Sequence, residues 1–138
     1  MTAIPRTPGE WWLAARVVFL LIVIRVALRL PHPLPKLLSA LTPHPGPGPG
    51  PDWVTADRAA RYIDVLQRRH PATPGGSCLP RALALYRFAR QSGLLVRFHC
   101  GARRVEEGVS GHAWLTLDGQ PYHEGIAAAG YAEMFSYP

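Results

Sequence analysis

The stretch Gly75-Gly76-Ser77-Cys78-Leu79-Pro80-Arg81-Ala82-Leu83-Ala84-Leu85-Tyr86 constrains this chain more than any other. Segments with helical or linker character precede it, and segments with the composition of strands and turns follow it. Two glycines permit a free turn up to Cys78, and Pro80 falls in a first helical turn, where a missing N–H is tolerated. Leu79, Ala82, Leu83 and Tyr86 then recur at the i, i+3, i+4, i+7 spacing of one buried helix face. Gly93 supplies the stop. Helices first and strands afterwards describe an α+β chain.

A cysteine in the first turn of a helix meets unpaired backbone N–H groups and the positive end of the helix dipole. Both favour the thiolate, which is the nucleophile. A small buried apolar role suits a cysteine equally well. What lies downstream has to decide between them.

The 138 residues are enough for one domain with a real core. The net charge of +6 is carried almost wholly by arginine, with Lys36 the one lysine. Nucleic acid, an anionic membrane or an acidic peptide could each answer such a charge. No basic run alternates with aromatics and no zinc spacing is present, so nucleic acid is not expected. No metal or other cofactor is expected either. Cys78 and Cys100 could form one disulfide at most. The apolar N-terminal stretch runs into Leu30-Pro31-His32-Pro33-Leu34, which lacks a small-residue cleavage site, so a cytoplasmic protein with free thiols is expected.

Three segments follow from composition: a hydrophobic, arginine-containing helical segment over 1–42, a Pro/Gly linker over 43–52, and the remainder over 53–138. Residues 11–30 would span about 30 Å as a helix, which is membrane length. Arg16, Arg25 and Arg29 interrupt them, and a mid-span arginine costs about 2.5 kcal/mol or more on insertion, less where it can snorkel. A core or partner-docking helix, an interfacial membrane helix and a true span all remain open. A short helix over 36–41 is expected next. A longer one over 52–70 follows, with Thr55 as N-cap and Ala59, Tyr62, Ile63 and Leu66 as its apolar stripe. Residues 94–100 read as a strand, 101–111 as a mobile polar loop and 112–117 as a second strand. Asp118-Gly119 reads as a hairpin turn, 120–124 as the return strand and 127–134 as a short helix.

A cysteine nucleophile needs a base near it in space and a third group to orient that base. His32, His44 and His70 border prolines and read as surface residues, whereas His99, His112 and His123 fall on predicted strands. His112 follows Ser110-Gly111, where a side chain can reach a site at the end of a sheet. Asp118 is about 20 Å from His112 along a straight strand. Glu124 returns towards it. A strict two-residue turn pairs His112 with Gly125 and places His123, not Glu124, on the His112 face. A three-residue loop or one bulge reverses this. The triad Cys78–His112–Glu124 therefore predicts an odd loop or a bulge, with Asp118 the less favoured third member. Trp114 and Arg81 are candidates to line the substrate cleft, and Cys100 reads as a buried strand residue.

Cys78-Leu79-Pro80-Arg81-Ala82-Leu83-Ala84-Leu85, followed by Gly111-His112-Ala113-Trp114-Leu115 and Asp118-Gly119-Gln120-Pro121, resembles the lasso-peptide leader peptidases. The resemblance covers about residues 55–125. It implies a transglutaminase-like, papain-related core over 53–138, with the nucleophile at a helix N-terminus packed on a small antiparallel sheet. It also implies a Cys-His-Asp peptidase that removes the leader from a ribosomal lasso precursor, working beside an ATP-dependent lasso cyclase. Cys78 maps to the nucleophile and His112 to the base, and the family's aspartate position falls on Glu124. A hydrophobic helix and a Gly-Pro linker stand where fused family members carry a leader-recognition domain. The chain thus resembles the split form, which relies on a separate leader-recognition protein. Acyl transfer to an amine, or non-catalytic docking of a precursor to a partner or a membrane, are the competing readings.

Overall fold

The first helix begins where its sequence lets it. Thr7 caps α1 (Pro8–Leu28): its hydroxyl accepts the Glu10 N–H at 3.2 Å, and the Glu10 carboxylate accepts the backbone N–H groups of Arg6 and Thr7. Those backbone donors hold the Glu10 carboxyl below its ordinary range. In this computed structural model the described residues are 4–44, 50–69, 78–123 and 130–138. They form α1, α2 (Leu34–Leu41), α3 (Trp53–Arg69), α4 (Cys78–Gln91), β1 (Arg97–Val105), β2 (Gly108–Leu117), β3 (Gln120–Tyr122) and β4 (Ala132–Tyr137).

α4 is the central element. Ala82, Leu83, Ala84, Leu85, Tyr86, Phe88 and Ala89 are all buried, so nearly its whole circumference is covered. α1, α2 and α3 pack on it from one side and the sheet from the other. The fully buried Tyr86 keeps its hydroxyl satisfied by donating to the Pro138 carbonyl at 2.9 Å, with Thr42 Oγ1 also 2.9 Å away. Gly93, at φ +86, ends the α4 segment in the left-handed conformation that glycine adopts freely.

α1 is long and apolar enough to cross a membrane, yet one of its faces belongs to the protein core. Leu13, Val17, Leu21 and Ile24 pack with residues of α3 and α4 in a single cluster. Arg16 Nη2 donates to Gln91 Oε1 on α4 at 2.7 Å, and Arg25 Nη2 donates to the buried Gln67 Oε1 on α3 at 2.7 Å. The arginines that interrupt the apolar run are therefore the polar ties between α1 and its neighbours.

The sheet is antiparallel in the order β3-β2-β1-β4. This is the α+β architecture expected from the sequence, with a helix-start cysteine packed on a small antiparallel sheet. Phe98 pairs with Leu115 and Cys100 with Ala113, and Phe98, Leu115 and Ala113 are buried on the face that packs on α4. The alternate residues, His99 opposite Trp114 and Gly101 opposite His112, lie on the other face.

Four local expectations are corrected. Asp52 caps α3 in place of Thr55: its carboxylate accepts the Thr55 N–H at 3.0 Å and the Thr55 hydroxyl at 2.6 Å. Residues 101–111 are not a mobile loop but the far half of the β1–β2 hairpin, which pairs as far as Val105 with Gly108. Arg103, Arg104 and Val109 are exposed there, so the apolar alternation that marks a half-buried strand is missing. Residues 94–96 are not strand, although Leu94 and Val96 are buried; β1 starts at Arg97. The tail forms β4 over Ala132–Tyr137 instead of a helix reaching Met134, because pairing with β1 supplies the hydrogen bonds a local helix would otherwise make.

Candidate active site

Cys78 is the first residue of α4 and is partly exposed. One helical turn on, and on the same side of the helix, Arg81 ties α4 to two other elements. Its Nε donates to Asp64 Oδ1 on α3 at 2.7 Å and its Nη2 to the His123 carbonyl at 2.5 Å. The proposed substrate-lining arginine thus also braces the start of α4 against the end of β3.

The hairpin turn is strictly two residues: Leu117 pairs with Gln120, Thr116 with Pro121 and Leu115 with Tyr122. Asp118 at φ +51 and Gly119 at φ +78 give the doubly left-handed turn that suits this dipeptide. The odd loop expected for a Cys78–His112–Glu124 triad is therefore not there. Asp118 sits at the tip, about 20 Å along a continuous strand from His112. Regular pairing ends at Tyr122, and His123 is itself left-handed at φ +47. Its ring does not lie over the His112 face; Nε2 lies 3.1 Å from Asp57 Oδ1 on α3. Glu124 falls outside the described residues.

The end of β3 adjoins the first turn of α4 but stops short of His112. It is bonded to the first turn of α4 through Arg81 and His123, and it runs along β2 towards His112, three residues (about 10 Å) beyond the Leu115–Tyr122 pair. The His112 ring stacks on Trp114 at 5.8 Å between centroids and meets Tyr131 at 5.1 Å. Trp114 is sandwiched on its other side by His99 at 5.5 Å. Trp114 is thus buried, but among the rings of the outer sheet face and not in the core against α4.

Sequence reasoning did not single out the groups around these rings. His99 Nε2 lies 2.7 Å from Thr116 Oγ1 and its Nδ1 contacts the Glu133 carboxylate. Arg103 lies over the Tyr131 ring at 4.8 Å. The two-residue spacing of His112, Trp114 and Thr116 carries part of this signal. Tyr131 and Glu133 come from a segment without a recognisable pattern and reach the site only through β4 pairing. Both cysteines are free, and burial, with Glu133 adding to it, pushes the Cys100 thiol above its ordinary range. Among the described residues no group of three His, Cys, Asp or Glu side chains could hold a metal.

A partly exposed cysteine opening a central helix, packed on an antiparallel sheet that carries a histidine, defines a thiol-bearing α+β domain. Residues 18–136 match the transglutaminase-like superfamily, and the chain belongs to that superfamily. The match begins inside α1 and ends in β4, so of the described elements it leaves out only the first half of α1 and the last residue of β4. Comparison with curated proteins and with solved structures returned no match.

Proposed function

We propose that this protein is a cysteine peptidase that removes the leader from a lasso precursor peptide, with Cys78 as nucleophile and His112 as base. The observation that carries the reading is Cys78 as the first residue of the central helix of a transglutaminase-like domain, partly open to solvent. The resemblance of Cys78-Leu79-Pro80-Arg81-Ala82-Leu83 and His112-Ala113-Trp114 to the lasso leader peptidases supplies the substrate class. A separate leader-recognition protein and an ATP-dependent cyclase are its expected partners.

In this mechanism the Cys78 thiolate attacks the carbonyl at the leader–core junction. The α4 N-terminus offers unpaired N–H groups to the oxyanion. The C–N bond breaks as His112, protonated, delivers its proton to the departing amine. Neutral His112 then takes a proton from water, whose oxygen attacks the thioester. The new carboxylic acid leaves and Cys78 is regenerated. The mechanism requires the Cys78 sulfur and the His112 ring to come within hydrogen-bond reach, with the ring on the outer sheet face and α4 packed on the inner one. Glu124 stays the proposed third member on the family resemblance alone, since the strict two-residue turn lacks the odd loop that would align it with His112.

The test is mass spectrometry of a candidate precursor incubated with this protein and its leader-recognition partner. Cleavage at one peptide bond, lost in Cys78→Ala and in His112→Ala, is expected. Equal cleavage by Cys78→Ala would sink the thiol mechanism. A product joined to an added amine in place of the hydrolysed acid would move the assignment to acyl transfer.

A further inference from the structure

α1 is apolar on two opposite faces, and the fold uses only one of them. Its inner face fills the core, whereas Trp11, Trp12, Val18, Phe19, Ile22 and Val26 lie outward, between 41% and 69% exposed. At 100° per residue these fall on one side of the helix. From Trp11 to Val26 the face runs about 22 Å. Ordinary monomer surfaces scatter such residues singly and do not gather them on one helix.

From this geometry we infer that the outer face of α1 lies in the interface of an anionic lipid bilayer, with the helix parallel to the membrane plane. Charge selects this occupant. Across residues 1–51, Arg6, Arg16, Arg25, Arg29 and Lys36 stand against a single acid, Glu10, which is held by the α1 cap and by Arg58 at 3.5 Å. Arg16 and Arg25 sit on opposite flanks of the exposed face, half a turn of the wheel apart, where their guanidinium groups lie at headgroup level. Paired tryptophans at one end are the residues that favour the membrane–water boundary. The face continues into a cleft of about 400 Å³ between α1 and α4, lined by Trp12, Phe19 and Phe88. Arg16 lies over Phe88 at the border of that cleft.

A span is not compatible with this packing. The inner face and the Arg16–Gln91 and Arg25–Gln67 bonds tie α1 to α3 and α4, which would have to unpack before α1 could enter hydrocarbon. The inference is independent of the peptidase reading.

The experiment is flotation of the full chain with vesicles of phosphatidylcholine containing about 30% phosphatidylglycerol, against pure phosphatidylcholine. Flotation with the anionic vesicles, weakened by high salt, is expected. Phe19→Glu and Ile22→Glu should each lower the binding constant about tenfold or more, with circular dichroism unchanged. Arg29→Glu combined with Lys36→Glu, which leaves the apolar face intact, should lower it as well. Absence of flotation, or equal binding to neutral vesicles, overturns the proposal. So does retention in the membrane after alkaline carbonate washing, which would mean a span. A dimer in sedimentation equilibrium that Phe19→Glu dissolves would assign the face to a second copy, and capture by a leader-recognition protein in place of vesicles would assign it to a protein partner.

Discussion

Arg81 Nη2 donates to the His123 carbonyl across 2.5 Å and so fixes the first turn of α4, where Cys78 lies, to the end of β3. Its Nε is at the same time spent on Asp64 at 2.7 Å, so one planar guanidinium holds three elements together. A lysine ammonium cannot serve two acceptors in this fork geometry. Arg81→Lys should destabilise the protein by about 1–2 kcal/mol, read as a lower urea midpoint at unchanged m-value. The loss is modest because the Asp64 pair is partly exposed, at 23% and 32%. Cleavage should fall by more than the unfolded fraction accounts for, since the helix start loses its tie to β3.

Gly101 is where the pairing of β1 with β4 shifts register at a bulge. A Cβ there would strike the Ala132 carbonyl and come within 3.1 Å of the Trp114 ring. Gly101→Ala should displace β4 and cost about 1–3 kcal/mol as an overpacked site. Loss of amide protection in Ala132–Tyr137, with α4 still protected, is the hydrogen-exchange result expected.

The two faces of α1 should respond oppositely to truncation. Ile24 is fully buried, and Ile24→Ala should cost about 2–5 kcal/mol. Ile22, two residues away and 56% exposed, should tolerate Ile22→Ser within about 0.5 kcal/mol. Equal losses in thermal or urea unfolding would mean that α1 does not pack as described.

The two thiols should separate by reactivity. Cys78 is at a helix start and partly exposed, whereas burial and then the Glu133 charge raise the Cys100 pKa. Iodoacetamide at neutral pH should label Cys78 first, with Cys100 following only as the pH rises. Glu133→Gln removes a negative charge, lowers the Cys100 pKa and should speed its labelling. Peptide mass spectrometry reads both sites.

Tyr122 carries an alkaline signature. Burial, with Asp57 adding to it, pushes its phenol up to about 12 from 10.0. The folded state therefore holds the phenolic proton more tightly than the unfolded chain. The stability linked to it is complete below pH 10 and is lost as pH rises towards 12. Tyr122→Phe should flatten this decline, measured as urea midpoints on either side of pH 10.

How much of this was legible depended on how local the cause was. The α4 helix, its start at Cys78, its glycine stop and the Asp118-Gly119 turn rest on spacing and on backbone preferences within a few residues, and each formed where those preferences put it. The face shared by His112, Trp114 and Thr116 followed from period-two alternation along β2, but the return of His123 to that face failed, because regular pairing ends at Tyr122 and His123 is left-handed. The β1–β2 extension was not legible, because a strand exposed on both faces leaves no alternation. β4 was not legible either, since its hydrogen bonds come from β1, some thirty residues away in sequence.

The sequence by itself determined a cysteine-led central helix followed by strands, and a membrane-length apolar segment punctuated by arginines. Tertiary structure decided what became of them. Arg16 and Arg25 turned out to bond Gln91 and Gln67, because those acceptors are brought alongside only when α1 packs on α3 and α4. The Trp114 stack with His99 and His112, and the contact of Tyr131 with His112, likewise exist only once β1, β2 and β4 are side by side. Periodicity within a segment reports which face is apolar, but the partner that covers that face is set by long-range packing.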